Sequence, residues 1–158
     1  LADGVMLHRR IDSFAEMHAA FRRSRSRVSE GRRRYGGIMV DMFYDHFLAA
    51  HWPRFSTQPL TAFTAETYRL IETHGEPLPE AFAPVFARMA AQDWLASYRD
   101  SSSVALALGR MAQYRLRQPN PLAGAGEELL QEYAGLETDF LAFLPDALAF
   151  AEQVRRAR

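Results

Sequence analysis

Apolar residues recur at intervals of three and four along most of this chain, and β-branched alternation is almost absent. Leu7, Ile11, Phe14, His18 and Phe21 form one stripe at such spacings and predict a helix over 3–21. The Arg/Ser-rich "RRSRSRVSEGRRR" (22–34) continues it, with Gly31 as a break. "GGIMVDMFYDHFLAAHW" (36–52) predicts a second helix, ended by Pro53. Residues 60–74 predict a third, with Phe63, Thr67, Leu70 and Ile71 inward. A Pro-rich connection (75–84) leads to a fourth helix that Pro84 starts and that runs to about Tyr98. "DSSS" (100–103) offers N-caps for a fifth helix over 103–116. After a loop (118–126), a last helix covers 127–156, bent near Pro145. About six helices joined by short loops imply a compact all-α single domain over 1–158.

The second helix carries the first sign of chemistry. Its apolar residues occupy every angular sector, which marks a buried helix. Asp41 and Asp45 nevertheless share one face, four residues apart, with His46 about 100° further round. Two like charges on a buried face repel, and each costs several kcal/mol to desolvate without a partner. A divalent cation would relieve both penalties; so would Arg side chains, or protonation of one acid.

The first helix supplies candidate partners. "LHRRID" sets His8 and Asp12 at i and i+4, with Arg9 and Arg10 beside them. His8 offers a nitrogen ligand, and Asp12 an oxygen ligand or an orienting group. Such a pool suits Mn, Fe, Zn or Mg. Each has a plain structural alternative: an intrahelical His8–Asp12 hydrogen bond, Arg partners for Asp41 and Asp45, and a satisfied core histidine at position 46. His18 lies on the core stripe, and His51 and His74 sit at helix ends, where capping is their expected role.

Composition narrows the field. There is no cysteine, so disulfides and thiolate metal sites are excluded. No apolar run approaches ~20 residues, so no membrane span is expected, and a cytoplasmic location is. There is no GxGxxG, Walker loop, GxSxG or HExxH. Net charge is zero, but residues 1–34 hold nine Arg against four acids and the rest of the chain ten Arg against fifteen. All basic residues are Arg. Seven of them fall in 22–34. This segment is either an arm laid against the chain's own acidic half (Glu127 to Asp139), or a grip for nucleic acid or an acidic protein surface.

Several stretches together resemble the acyl carrier protein phosphodiesterases, also called ACP hydrolases. They are "GVMLHRRIDSF" (4–14), "RRYGGIMVDMFYDHFLAAHW" (33–52), "DWLASYRD" (93–100), "LGRMAQYRLR" (108–117) and "YAGLETDFLAFLP" (133–145). The resemblance implies a fold akin to a distorted HD-type metal phosphohydrolase. It implies hydrolysis of the phosphodiester joining 4′-phosphopantetheine to a serine of holo-acyl carrier protein, with Mn2+ as the metal. The dipeptide here is Asp45-His46, the reverse of the HD order. Family members also carry an N-terminal segment with its own His and Asp ahead of the block at 4–14, so part of the site is expected upstream.

Together these readings give a set of expectations. Metal ligands come from His8, Asp12, Asp45 and His46. Asp45 or Asp41 handles the attacking water, and Arg9 steadies the phosphoryl oxygens. Arg22, Arg23, Arg25, Arg32 and Arg33 dock an acidic carrier protein, with Arg110 and Arg115 as lesser candidates for which an ordinary salt bridge is the plainer role. No nucleic acid is expected. The competing possibilities are an HD-like phosphohydrolase of a nucleotide or other phosphodiester, and an Arg-rich binding module without metal.

Overall fold

The computed structural model describes residues 2–75 and 77–157. Nine α-helices and two short 3-10 turns occur among them, with no strand. The helices are α1 (Ala2–Met17), α2 (Ala19–Arg27), α3 (Gly36–Ala50), α4 (Leu60–Glu72), α5 (Ala83–Ala91), α6 (Trp94–Ser97), α7 (Ser101–Tyr114), α8 (Gly126–Gln131) and α9 (Tyr133–Arg156). None of the described helices is long and apolar enough to cross a membrane. The all-α expectation holds; the helices outnumber the six read from periodicity because three of those are interrupted.

Each interruption has a local cause. At His18 the backbone turns extended, and the ring Nδ1 accepts the Ala20 N–H to cap α2. The same ring donates from Nε2 to Asp146 on α9 at 3.1 Å. At Asp93 the backbone enters the left-handed region (φ 44°), which Asp tolerates better than most residues. Its carboxylate accepts from the Ala96 N–H and from the Thr64 hydroxyl, fixing the start of α6. Glu132 separates α8 from α9, whereas α9 runs on through Pro145.

α3 is the central helix. Met39, Val40, Phe43 and Phe47 are fully buried and meet Leu108 of α7 and Leu136 and Phe140 of α9. Each such side chain contributes about 2 kcal/mol of burial. α4 turns a different face inward than its pattern suggested. Leu60, Thr64 and Tyr68 are buried, while Phe63, Leu70 and Ile71 lie outward. Polar contacts set this register: Thr64 donates to Asp93, and the Tyr68 hydroxyl accepts the Leu95 N–H.

The basic segment is largely tied to the chain's own acidic half. Asp139, almost fully buried, accepts from Nε of Arg23 (2.8 Å), Nε of Arg27 (3.0 Å) and the Ser24 hydroxyl (3.3 Å). Tyr44 of α3 in turn donates to Ser24, and burial pushes its phenol up to about 12, so it stays protonated. Arg32 gives Nη1 to Glu128 and its other nitrogens to the Pro121 and Ala123 carbonyls. Burial works against the Glu128 charge, but bonds from Ser29 and Arg32 hold its carboxyl below the usual range.

Candidate functional site

α3 is not buried all round. Ile38, Asp41 and Asp45 form one outward stripe on an otherwise enclosed helix, at spacings of three and four. Solvent reaches both carboxylates, yet the surrounding protein strips part of their hydration. That loss, first, and the negative charge of Asp41, second, push Asp45 up to about 7. Asp41 is pushed up to about 6, first by lost hydration and then by Asp12 and Glu16 of α1; His8 and Arg25 ease it. Asp41 thus lies near α1, and Asp45 near the Tyr98 phenol beyond α6, which burial first and then the Asp45 charge push up.

The helices bring some of the expected residues together and separate others. His8 and Asp12 lie 3.4 Å apart on an exposed turn of α1, near Asp41 but largely in solvent. Arg9 is exposed beside them and makes no ion pair among the described residues. His46 departs from the ligand expectation. It is buried, and its Nδ1 lies 2.9 Å from the Tyr98 carbonyl while Nε2 lies 3.0 Å from the Tyr133 hydroxyl. A carbonyl only accepts, so Nδ1 carries the hydrogen, and in the neutral ring Nε2 accepts from Tyr133. Both nitrogens are therefore engaged, and neither is left for a metal.

The docking set also divides. Arg23 and Arg32 pair within the chain, with Asp139 and Glu128, though the Arg23 side chain stays more than half exposed. Arg22 and Arg33 remain exposed and form no ion pair among the described residues. Arg25 lies near Asp41, so its charge belongs to the carboxylate stripe. Arg110 makes no salt bridge among the described residues; its guanidinium lies 5.6 Å from the Trp94 ring centre. Arg115 is exposed and forms no ion pair among the described residues. His51 is the C-cap of α3, as its position suggested, and donates to Glu137 at 2.7 Å.

The donors are of the right kind for a hard divalent cation: carboxylates held close enough to resist ionisation. Among the described residues, however, no three His, Asp or Glu side chains converge on one point. The stripe is a partial donor set, able to orient water or take up a proton near neutral pH.

An all-helical domain with a carboxylate stripe able to orient water can serve a hydrolase, and the sequence comparisons specify the family. The acyl carrier protein phosphodiesterase family matches residues 1–147. Three relatives carry the name acyl carrier protein phosphodiesterase. The Photorhabdus laumondii protein is 32% identical over 150 residues, covering 94% of this chain and 75% of its own length. The Klebsiella pneumoniae protein is 31% identical over 153 residues, covering 96% and 79%. The Serratia proteamaculans protein is 31% identical over 150 residues, covering 94% and 77%. The chain belongs to the acyl carrier protein phosphodiesterase family. No solved structure matches it, so the likeness to HD-type folds stays a sequence-level expectation.

Proposed function

We propose that this protein hydrolyses the phosphodiester between 4′-phosphopantetheine and a serine of holo-acyl carrier protein, releasing the apo protein, in the cytoplasm. Family membership supports the substrate, and the Asp41–Asp45 stripe is the observation that supports the site. Asp41 and Asp45 would be the donors this stripe offers to a divalent cation, Mn2+ in the first instance, and they make only a partial set. When bound, the cation would supply charge neutralisation and a more acidic water. Asp45, whose carboxyl takes up a proton near pH 7, orients the attacking water and accepts its hydrogen. Lost hydration first, and then the charge of Asp41, hold Asp45 in that range. Arg9 and Arg25 lie on the α1 and α2 sides of the stripe and steady the phosphoryl oxygens. Arg22 and Arg33 meet the acidic carrier surface.

The test is mass-spectrometric detection of apo carrier protein after incubation of holo carrier with the purified protein, with Mn2+ or with EDTA. Asp45→Ala and Asp41→Ala should lose most turnover, about a hundredfold or more, while keeping the helical circular dichroism of the parent. Full turnover in a folded Asp45→Ala variant would refute the site. Full turnover in EDTA would refute the metal.

A further inference from the structure

His46 follows Asp45 on α3, and none of the roles above uses it. It is buried, and its ring meets Phe47 and Tyr133 edge-on, with centres 5.2 and 5.6 Å away. Nδ1 donates to the Tyr98 carbonyl at 2.9 Å, and Nε2 accepts from the Tyr133 hydroxyl at 3.0 Å. An imidazole is a costly way to fill apolar space unless both nitrogens are bonded. What these bonds hold is the backbone at Tyr98.

Tyr98 closes α6, a helix of one turn that is too short to be stable by itself. Among the described residues, His46 is the only donor to the Tyr98 carbonyl. The bond therefore ties the joint between α6 and α7 to the central helix. The half-buried Tyr98 ring packs against the Ala49, Trp52 and Leu60 cluster. Ala49 lies one turn beyond Asp45 on the same face of α3. The phenol thus stands beside Asp45. Burial first, and then the charges of Asp45 and Tyr68, push it up, so it keeps its proton. The His46 side chain leaves α3 about 100° round from Asp45, away from any water that Asp45 orients. Its influence on the chemistry passes through Tyr98.

We infer that His46 is a positioning residue for the hydrolysis: by holding the Tyr98 carbonyl it keeps the Tyr98 ring against the face of α3 that carries Asp45. This rests on the proposed role of Asp45. The ring then bounds the space in which the attacking water and the phosphorus meet, where a displacement of about 1 Å can cost on the order of a hundredfold in rate. Tyr133 completes the arrangement. Its hydrogen on Nε2 keeps the neutral imidazole in the tautomer whose Nδ1 carries the donor.

The experiment is a double-mutant cycle between His46→Gln and Tyr98→Ala, reading kcat and KM for holo carrier protein from the apo protein formed. His46→Gln, which loses the donor at the Nδ1 position, should lower kcat about tenfold with little change in KM. His46→Asn places an amide nitrogen where Nδ1 stood and should recover kcat to within about threefold of wild type. Tyr98→Ala should lower kcat at least as far as His46→Gln, and the double variant no further than Tyr98→Ala. Backbone hydrogen exchange in residues 97–101 should quicken in His46→Gln and stay slow in His46→Asn. Tyr133→Phe, which removes only a hydroxyl, should lower kcat about threefold, a loss that also vanishes when Tyr98 is Ala. Losses that multiply in the double variants would overturn the inference, as would a His46→Asn variant as poor as His46→Gln. A Mn2+ requirement raised in both His46 variants would overturn it in favour of a metal ligand. Losses that merely follow the melting temperature would overturn it in favour of a core residue. Full turnover in Asp45→Ala, or none in the parent protein, removes the proposed reaction site and this inference with it. Multiplying losses alongside an inactive Asp45→Ala remove the role of His46 alone.

Discussion

Asp45 holds its proton far longer than a free aspartate, and this has a thermodynamic consequence. In the unfolded chain both carboxyls of the stripe titrate near 3.9. In the fold they do so at about 6 for Asp41 and about 7 for Asp45. Between about pH 4 and pH 7 the folded state binds more protons, so stability falls as pH rises through that window. In EDTA, Asp45→Asn should melt above the wild type at pH 8 and lose the advantage near pH 4. Discounted for the solvent that reaches the stripe, the gain at pH 8 is about 1 kcal/mol. An equal offset at both pH values would refute the assignment. Asp139, by contrast, is almost fully buried and accepts bonds from two guanidinium groups and a hydroxyl. Asp139→Asn should cost about 2–3 kcal/mol in urea unfolding, since it removes a buried, multiply bonded charge. The spacing of Asp41 and Asp45 was legible in the sequence because i and i+4 on one helix is a local relation. The partners of His46 were not, because Tyr98 and Tyr133 stand 52 and 87 residues away.

Among the elements, α7 and α8 approach unusually closely. A Cβ placed on Gly126 would meet the Ala105 Cα at 2.5 Å, and that backbone has no freedom to yield. Gly126→Ala should therefore destabilise the fold by about 2 kcal/mol even though alanine favours helix, and thermal melting would show it. A neutral or stabilising result would mean the two helices can part without cost. The same scale shows why helix count was less legible than helix content. Periodicity carries through His18, Asp93 and Glu132, where single residues divide helices with little change of pattern. The inward face of α4 was misjudged for a related reason. Phe63 and Ile71 are the larger apolar groups, but the bonds from Thr64 to Asp93 and from Leu95 to Tyr68 decided which side faces in. Those partners lie beyond the helix and leave no trace in its own spacing.

For the whole molecule, the distribution of charge separates arginines that hold the fold from those available to a partner. Arg32→Ala should lower stability by about 1–2 kcal/mol, because it strips a part-buried Glu128 of its cation, while leaving the Michaelis constant for holo carrier protein unchanged. Arg22→Glu with Arg33→Glu should do the reverse, raising that constant about three- to tenfold at low salt and flattening its salt dependence. Salt titrations of KM and of the melting temperature would distinguish the two groups. The sequence displayed the Arg-rich segment and its acidic counterpart openly, yet only the packing of α2 on α9 decides which arginines are consumed. That packing also bears on how the chain comes apart. The Arg23–Asp139 bond joins residues 116 positions apart, so α2 and α9 clasp the ends of the chain around everything between them. Closing so long a loop is slow, and once closed it makes the covalent connection between α4 and α5 dispensable. A protease that nicks the 77–82 connection should leave two fragments that co-elute as one particle and separate only when the clasp is unfolded.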